Sequence, residues 1–203
     1  MLIIAFVTNV ILVICEALTL GHIRSKRDIF KYYTYLQNCL ALITSLVFSV
    51  CWIVCTVSHR AMPEFAKGLR YVATCGLLST TLVFILFLGA GKKIAITEKD
   101  FLLGFDPKAA NITLHYICPA LSLVSFLLFE REIPLSNGIW TAIVAIPSCI
   151  YWLTYIILSA AKLWEAPYDF TAHGKKSNVR EILSVASLPL SFIAISFILW
   201  SVQ

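Results

Sequence analysis

Long stretches free of charge alternate along this chain with short polar connections. No Asp, Glu, Lys, Arg or His occurs from Tyr32 to Ser58, Tyr71 to Gly91, Tyr116 to Phe129, Ile133 to Ala161 or Ile182 to Gln203. About 20 residues at 1.5 Å rise cross a hydrocarbon core of about 30 Å, so runs of this length read as membrane-spanning helices. Adding the apolar N-terminal run, the pattern predicts six spans: Leu2 to Leu20, Phe30 to Val57, Ala66 to Ala90, Asn111 to Phe129, Gly138 to Leu163 and Val179 to Val202. The expected fold is all-α, an integral membrane bundle of six transmembrane helices forming a single domain over 1–203. The second span is longer than a bilayer requires and is expected to tilt. Pro147 and Pro189 fall within the fifth and sixth spans, where a missing N–H should kink the helix.

Composition agrees with the pattern. Of the 203 residues, 60% are hydrophobic and 13% charged, against about 25% charged in a soluble domain. The first span has no basic leading region and no small-residue cleavage site, so it reads as a retained helix rather than a signal peptide. Basic residues near span ends stay cytoplasmic. Loops one, three and five hold twelve Lys and Arg, against four in the others (Arg60, Lys67, Arg70 and Arg131), which predicts those three loops in the cytoplasm. The net charge of +5 is thus a topology signal, and no feature points to nucleic acid. Asn111-Ile112-Thr113 matches a glycosylation acceptor at the membrane edge on the cytoplasmic side. Asn111 reads better as the cap of the fourth helix, accepting from its exposed N–H groups.

Ionisable groups inside spans are costly and are functional candidates. His115 is the foremost. Pro119, four residues on, cannot donate to the His115 carbonyl, so the helix should open there to water or a side chain. The alternative is a histidine hydrogen-bonded between helices for packing. Thr34 and Asn38 lie one turn apart at the start of the second span and share a face, although an intramembrane Thr often bonds only its own helix. Both helices enter from the same side, which sets Thr34 and His115 at a similar depth. Glu16 and His22 collect on that side, as does an aromatic loop holding Trp164 and Asp169 that can fold back as a lid or lie in the interface. On the opposite side Glu130, Arg131 and Glu132 read as a solvated run. The seven cysteines include no C-x-x-C pair and read as small core residues; Cys55 and Cys75 both approach the outer face, where a disulfide is the alternative. No metal or cofactor motif is present, and none is expected.

Phe30-Lys31-Tyr32-Tyr33-Thr34-Tyr35, Leu114-His115-Tyr116-Ile117-Cys118-Pro119, Gly138-Ile139-Trp140-Thr141 and Trp164-Glu165-Ala166-Pro167-Tyr168 together resemble, in order and in span position, the androgen-induced family of polytopic membrane proteins and its bacterial relatives. The resemblance covers about Asp28 to Phe170. It implies a threonine hydrolase of fatty acid esters of hydroxy fatty acids, with Thr34 and His115 as its catalytic pair. A Thr hydroxyl is a weak nucleophile that needs an adjacent base, and a neutral imidazole suits that role. Asn38 is the candidate oxyanion donor, and Asn111 or Asp169 the candidate to orient His115. The expected partner is a membrane lipid or lipid ester, bound beside Trp164 with its carboxylate near Lys31, Lys108 or Lys162. The competing class is a noncatalytic lipid-binding or transport protein. Oligomeric state is not encoded in these patterns.

Overall fold

The computed structural model describes residues 2–23, 32–88, 106–130, 133–161, 163 and 178–202; side chains at 156, 159, 160 and 178–188 are outside this description. The described residues are helical, with no strand among them. The helices are α1 (Leu2–Gly21), α2 (Tyr33–Ser58), α3 (Glu64–Val83, continued by a π-helical turn Phe84–Leu88), α4 (Pro107–Phe129), α5 (Ile139–Ile143), α6 (Ala145–Ala160) and α7 (Asn178–Ser201). Four of them, α1, α2, α3 and α4, are long and apolar enough to cross a membrane. Two further apolar helical stretches, Ile139–Tyr155 and Pro189–Ser201, are shorter.

The outward faces of the bundle are apolar, and its interior buries polar side chains among the apolar core. On α1, Ile3, Val7, Ile11, Ile14 and Leu18 face outward, while Asn9, Leu12, Glu16 and Thr19 are buried. On α2, Ile43, Leu46, Val50, Ile53 and Val57 are exposed, whereas Asn38, Ser45 and Ser49 are buried. Such stripes on a water-soluble monomer would form an apolar patch far beyond the usual few hundred Å². Against lipid they need no cover, because the polar side chains are the ones that must find protein partners.

α3 is the central helix. It packs against α2, α4, α5 and α7 and is the most deeply buried of the four long helices. Its small residues permit close approach: a Cβ at Gly68 would meet the Trp140 ring, and one at Gly76 would meet the Gln37 amide. α2 ends at His59 in the left-handed conformation (φ 52°), where Arg60 N–H donates to Cys55 O at 2.9 Å. The chain then reverses through Pro63 into α3, so the two helices run antiparallel.

Prolines and caps set the remaining boundaries. Pro147 cannot donate to the Ile143 carbonyl, and the hydrogen-bond ladder of the expected fifth span is interrupted at Val144 between α5 and α6, although Val144 itself stays right-handed helical and its N–H donates to Trp140 O at 3.1 Å. α7 instead runs through Pro189 without interruption. α4 begins before Asn111, which is therefore not its cap. Asp106 is the cap: its side chain accepts from Lys108 N–H at 2.9 Å, and Pro107 supplies the first helical position. That pairing satisfies an N–H of the first turn with a preset φ, leaving Asn111 inside the helix.

All seven cysteines are free; Cys55 donates to Ala61 O while Cys75 is buried in the core, so the two do not form a disulfide.

Candidate active site

Two apolar layers fix where α2 and α4 begin. Leu20 and Ile23 pack with Tyr35 of α2 and with Ala110 and Leu114 of α4. Beside this layer, Ala41 of α2 packs against Ala73 and Leu77 of α3. Thr34 precedes Ala41 by seven residues and Phe84 follows Leu77 by seven. In antiparallel helices both therefore lie two turns, about 10 Å, beyond that contact on the same side.

Phe84 is the residue on which His115 rests. The two rings stack with centroids 4.0 Å apart and planes inclined by 21°. His115 is 4% exposed, and its Nδ1 has no hydrogen-bond partner. It lies within a π-helical turn, Thr113–Ile117, closed by Cys118 N–H donating to Thr113 O five residues back. Such turns widen a helix locally and recur at functional sites. The expected opening at Pro119 is filled by a side chain from the neighbouring helix: Thr81 Oγ donates to His115 O at 2.8 Å.

Thr34 and Asn38 on α2 and Asn111 on α4 lie toward the same end of the bundle as His115. Thr34 is half-buried at the depth of Phe84, and no hydrogen bond joins it to His115 among the described residues. Asn38 is fully buried one turn on, but its Nδ2 donates back to Thr34 O at 2.8 Å and its Oδ1 has no partner. Its amide is thus engaged with its own helix. Asn111 is one turn before His115 on the same face, 5% exposed, with Oδ1 unpartnered. Glu16 is fully buried and lies within electrostatic reach of Arg70 as well as of Cys39 and Cys118. Trp164 and Asp169 lie outside the described residues, as do Lys31 and Lys162.

A groove of about 470 Å³ opens on a different face of α2, between Tyr33, Leu36, Gln37 and Leu40 and the α6 residues Ile146, Pro147, Ile150, Tyr151 and Thr154. Its walls are mostly apolar, and neither Thr34 nor His115 lines it.

The opposite end holds a polar network that sequence reasoning missed. Glu130, expected in a solvated run, is 4% exposed, and Arg70, counted among the loop charges, is fully buried. Arg70 Nε lies 3.4 Å from Glu130 Oε1. Arg70 Nη1 also donates to Thr74 Oγ1 at 2.9 Å and Ser122 Oγ at 2.7 Å, and Nη2 to Ser122 O at 3.3 Å. Glu130 Oε1 accepts from Ser125 Oγ at 2.6 Å and Asn9 Nδ2 at 3.2 Å. Three helices, α1, α3 and α4, are joined by this pair. Tyr71 adds a link to α7 by donating to Ser196 O at 2.6 Å. Among the described residues no cluster of three or more His, Cys, Asp and Glu is placed to hold a metal ion.

No family model matches this chain, and no curated protein or solved structure matches it either.

Proposed function

We propose that the chain is a six-span integral membrane protein, with loops one, three and five cytoplasmic, that hydrolyses a lipid ester using Thr34 as nucleophile and His115 as base. The observation that carries the reading is the His115 imidazole itself. It is almost wholly buried, with Nδ1 free of hydrogen bonds, and it stacks on a ring at the depth of Thr34. The resemblance to the androgen-induced family supports the same pair, and fatty acid esters of hydroxy fatty acids are the first substrates to test.

In the proposed reaction Thr34 Oγ attacks the ester carbonyl as His115 takes its proton. Collapse of the tetrahedral intermediate expels the alcohol, which receives that proton, and leaves an acyl-threonine. His115 then takes a proton from water, whose oxygen attacks the acyl carbon; the acid departs and Thr34 recovers its proton. Apo enzymes often hold such pairs further apart than a hydrogen bond, and substrate closes the gap.

The test is labelling of the detergent-purified protein by a serine- and threonine-reactive fluorophosphonate. Wild type should label, and Thr34→Ala and His115→Ala should not, with helicity unchanged. Equal labelling of all three proteins, or none in wild type, rejects the hydrolase. A second reading, a noncatalytic lipid-binding protein, is favoured by the groove between α2 and α6, which is separate from Thr34 and His115.

A further inference from the structure

The carbonyl of His115 poses an accounting problem that the chain solves across a helix boundary. Pro119 has no N–H to offer it, and an unmet backbone acceptor inside a membrane is costly. Thr81 Oγ lies 2.8 Å from this carbonyl and 3.1 Å from Leu77 O on its own helix. Its single proton serves one of them well. Leu77 O already receives Thr80 Oγ at 2.7 Å, so the Thr81 proton belongs to His115 O, the nearer acceptor.

Thr81 and Phe84 are three residues apart and share a face of α3. Thr81 fixes the His115 peptide and Phe84 fixes the His115 ring, so one helix grips the residue at both ends. The π-helical turn gives this grip its leverage. Within Thr113–Ile117 the closing bond spans five residues instead of four, a local departure from the α-helical ladder that recurs at functional sites.

We infer that Thr81 is a positioning residue for His115: its hydroxyl replaces the donor that Pro119 withholds and thereby sets the direction in which the imidazole points. The inference deepens the hydrolase reading and rests on it for the catalytic role of the imidazole. The hold on the imidazole has its own readout. Thr81 touches neither ring nitrogen, so its effect passes through the backbone.

The experiment compares wild type with Thr81→Ser, which keeps the donor, and with Thr81→Val and Thr81→Ala, which remove it. A fourth protein combines Thr81→Val with Pro119→Ala, which restores a backbone N–H four residues beyond His115. Each is labelled with 15N in its histidine rings and titrated by NMR in detergent micelles, with the His115 signals assigned by their loss in His115→Gln. Thr81→Val and Thr81→Ala should displace the His115 signals and change their titration midpoint, leaving those of His22, His59 and His173 in place. Thr81→Ser should overlay wild type, and in the Pro119→Ala background Thr81→Val should add no further displacement. Unmoved His115 signals in the donor-less variants, or an equal displacement by Thr81→Ser, would overturn the inference. So would unfolding of both donor-less variants, which would make the bond structural only. Fluorophosphonate labelling separates the two readings. If Thr34 is the nucleophile, Thr81→Val should slow labelling about tenfold, the scale of one lost hydrogen bond. Displaced His115 signals in a protein whose wild type never labels would reject the hydrolase and leave the hold on His115 established.

Discussion

Glu130→Gln isolates the charge in the polar network at the far end of the bundle. The amide keeps the size of the side chain and an acceptor for Ser125 and Asn9, now at 2.6 and 3.2 Å. What disappears is the counter-ion of Arg70, which is fully buried. At 3.4 Å and an effective dielectric constant of about 20, the pair attracts by about 5 kcal/mol before desolvation is charged against it. Removing one partner of a buried pair costs about 3–5 kcal/mol, because the surviving charge stays out of water without compensation. Glu130→Gln is therefore expected to lose about 3 kcal/mol in reversible unfolding from mixed detergent micelles, and Arg70→Met a comparable amount. The double variant Arg70→Met/Glu130→Gln removes both charges and should be more stable than the sum of the singles by about 2 kcal/mol or more. A loss under about 1 kcal/mol in Glu130→Gln, or strict additivity in the double variant, would refute the account of a buried, interacting pair.

Two further substitutions examine the packing and the boundary of the helices that carry the site. Gly68→Ala drives a methyl group into the Trp140 ring, and an overpacked contact of this kind should lower stability by about 1–3 kcal/mol in the same unfolding assay; combining it with Trp140→Leu should recover most of the loss, and a neutral Gly68→Ala contradicts the close approach. Asp106→Ala removes the cap of α4 and should cost about 1 kcal/mol, with faster amide hydrogen exchange at Lys108, whereas Asp106→Asn should retain both; indistinguishable Ala and Asn variants would show that the side chain does not cap.

Much of the bundle was legible because lipid imposes a coarse rule that single residues satisfy. A charge-free run of span length needs no knowledge of its partners, so α1, α2, α3 and α4 follow from local pattern. Pro147 and Pro119 also act locally: one interrupts the hydrogen-bond ladder at Val144, the other opens a carbonyl at His115. What filled that carbonyl was not legible, since Thr81 is 34 residues away and a Thr within a span normally serves its own helix. Glu130 failed for a geometric reason. Ser125 and Glu130 are five residues apart, which an α-helix places about 140° apart around its axis. The π-helical turn Ser125–Phe129 wraps those five residues into a single turn and brings Glu130 to Ser125. Arg70 was counted with the loop charges because it falls near a span end, and nothing near it in sequence announces a partner at Glu130. Asn111 was misplaced for the opposite reason: Asp106-Pro107 is a strong local start signal outside the apolar run that defined the span.

The network around Arg70 also constrains the order in which the molecule can be assembled. Asn9 lies on α1, yet its acceptor at the end of α4, Glu130, comes 121 residues later in the chain. Until α3 and α4 have been synthesised, the Asn9 amide has only Ala5 O of its own helix to bond, and Glu16 lacks the nearby charge of Arg70. The network around Arg70 can therefore close only after α4 has been made. A ribosome stalled before Glu130 emerges would leave α1 open to extraction, and release of the remaining chain would lock it in place.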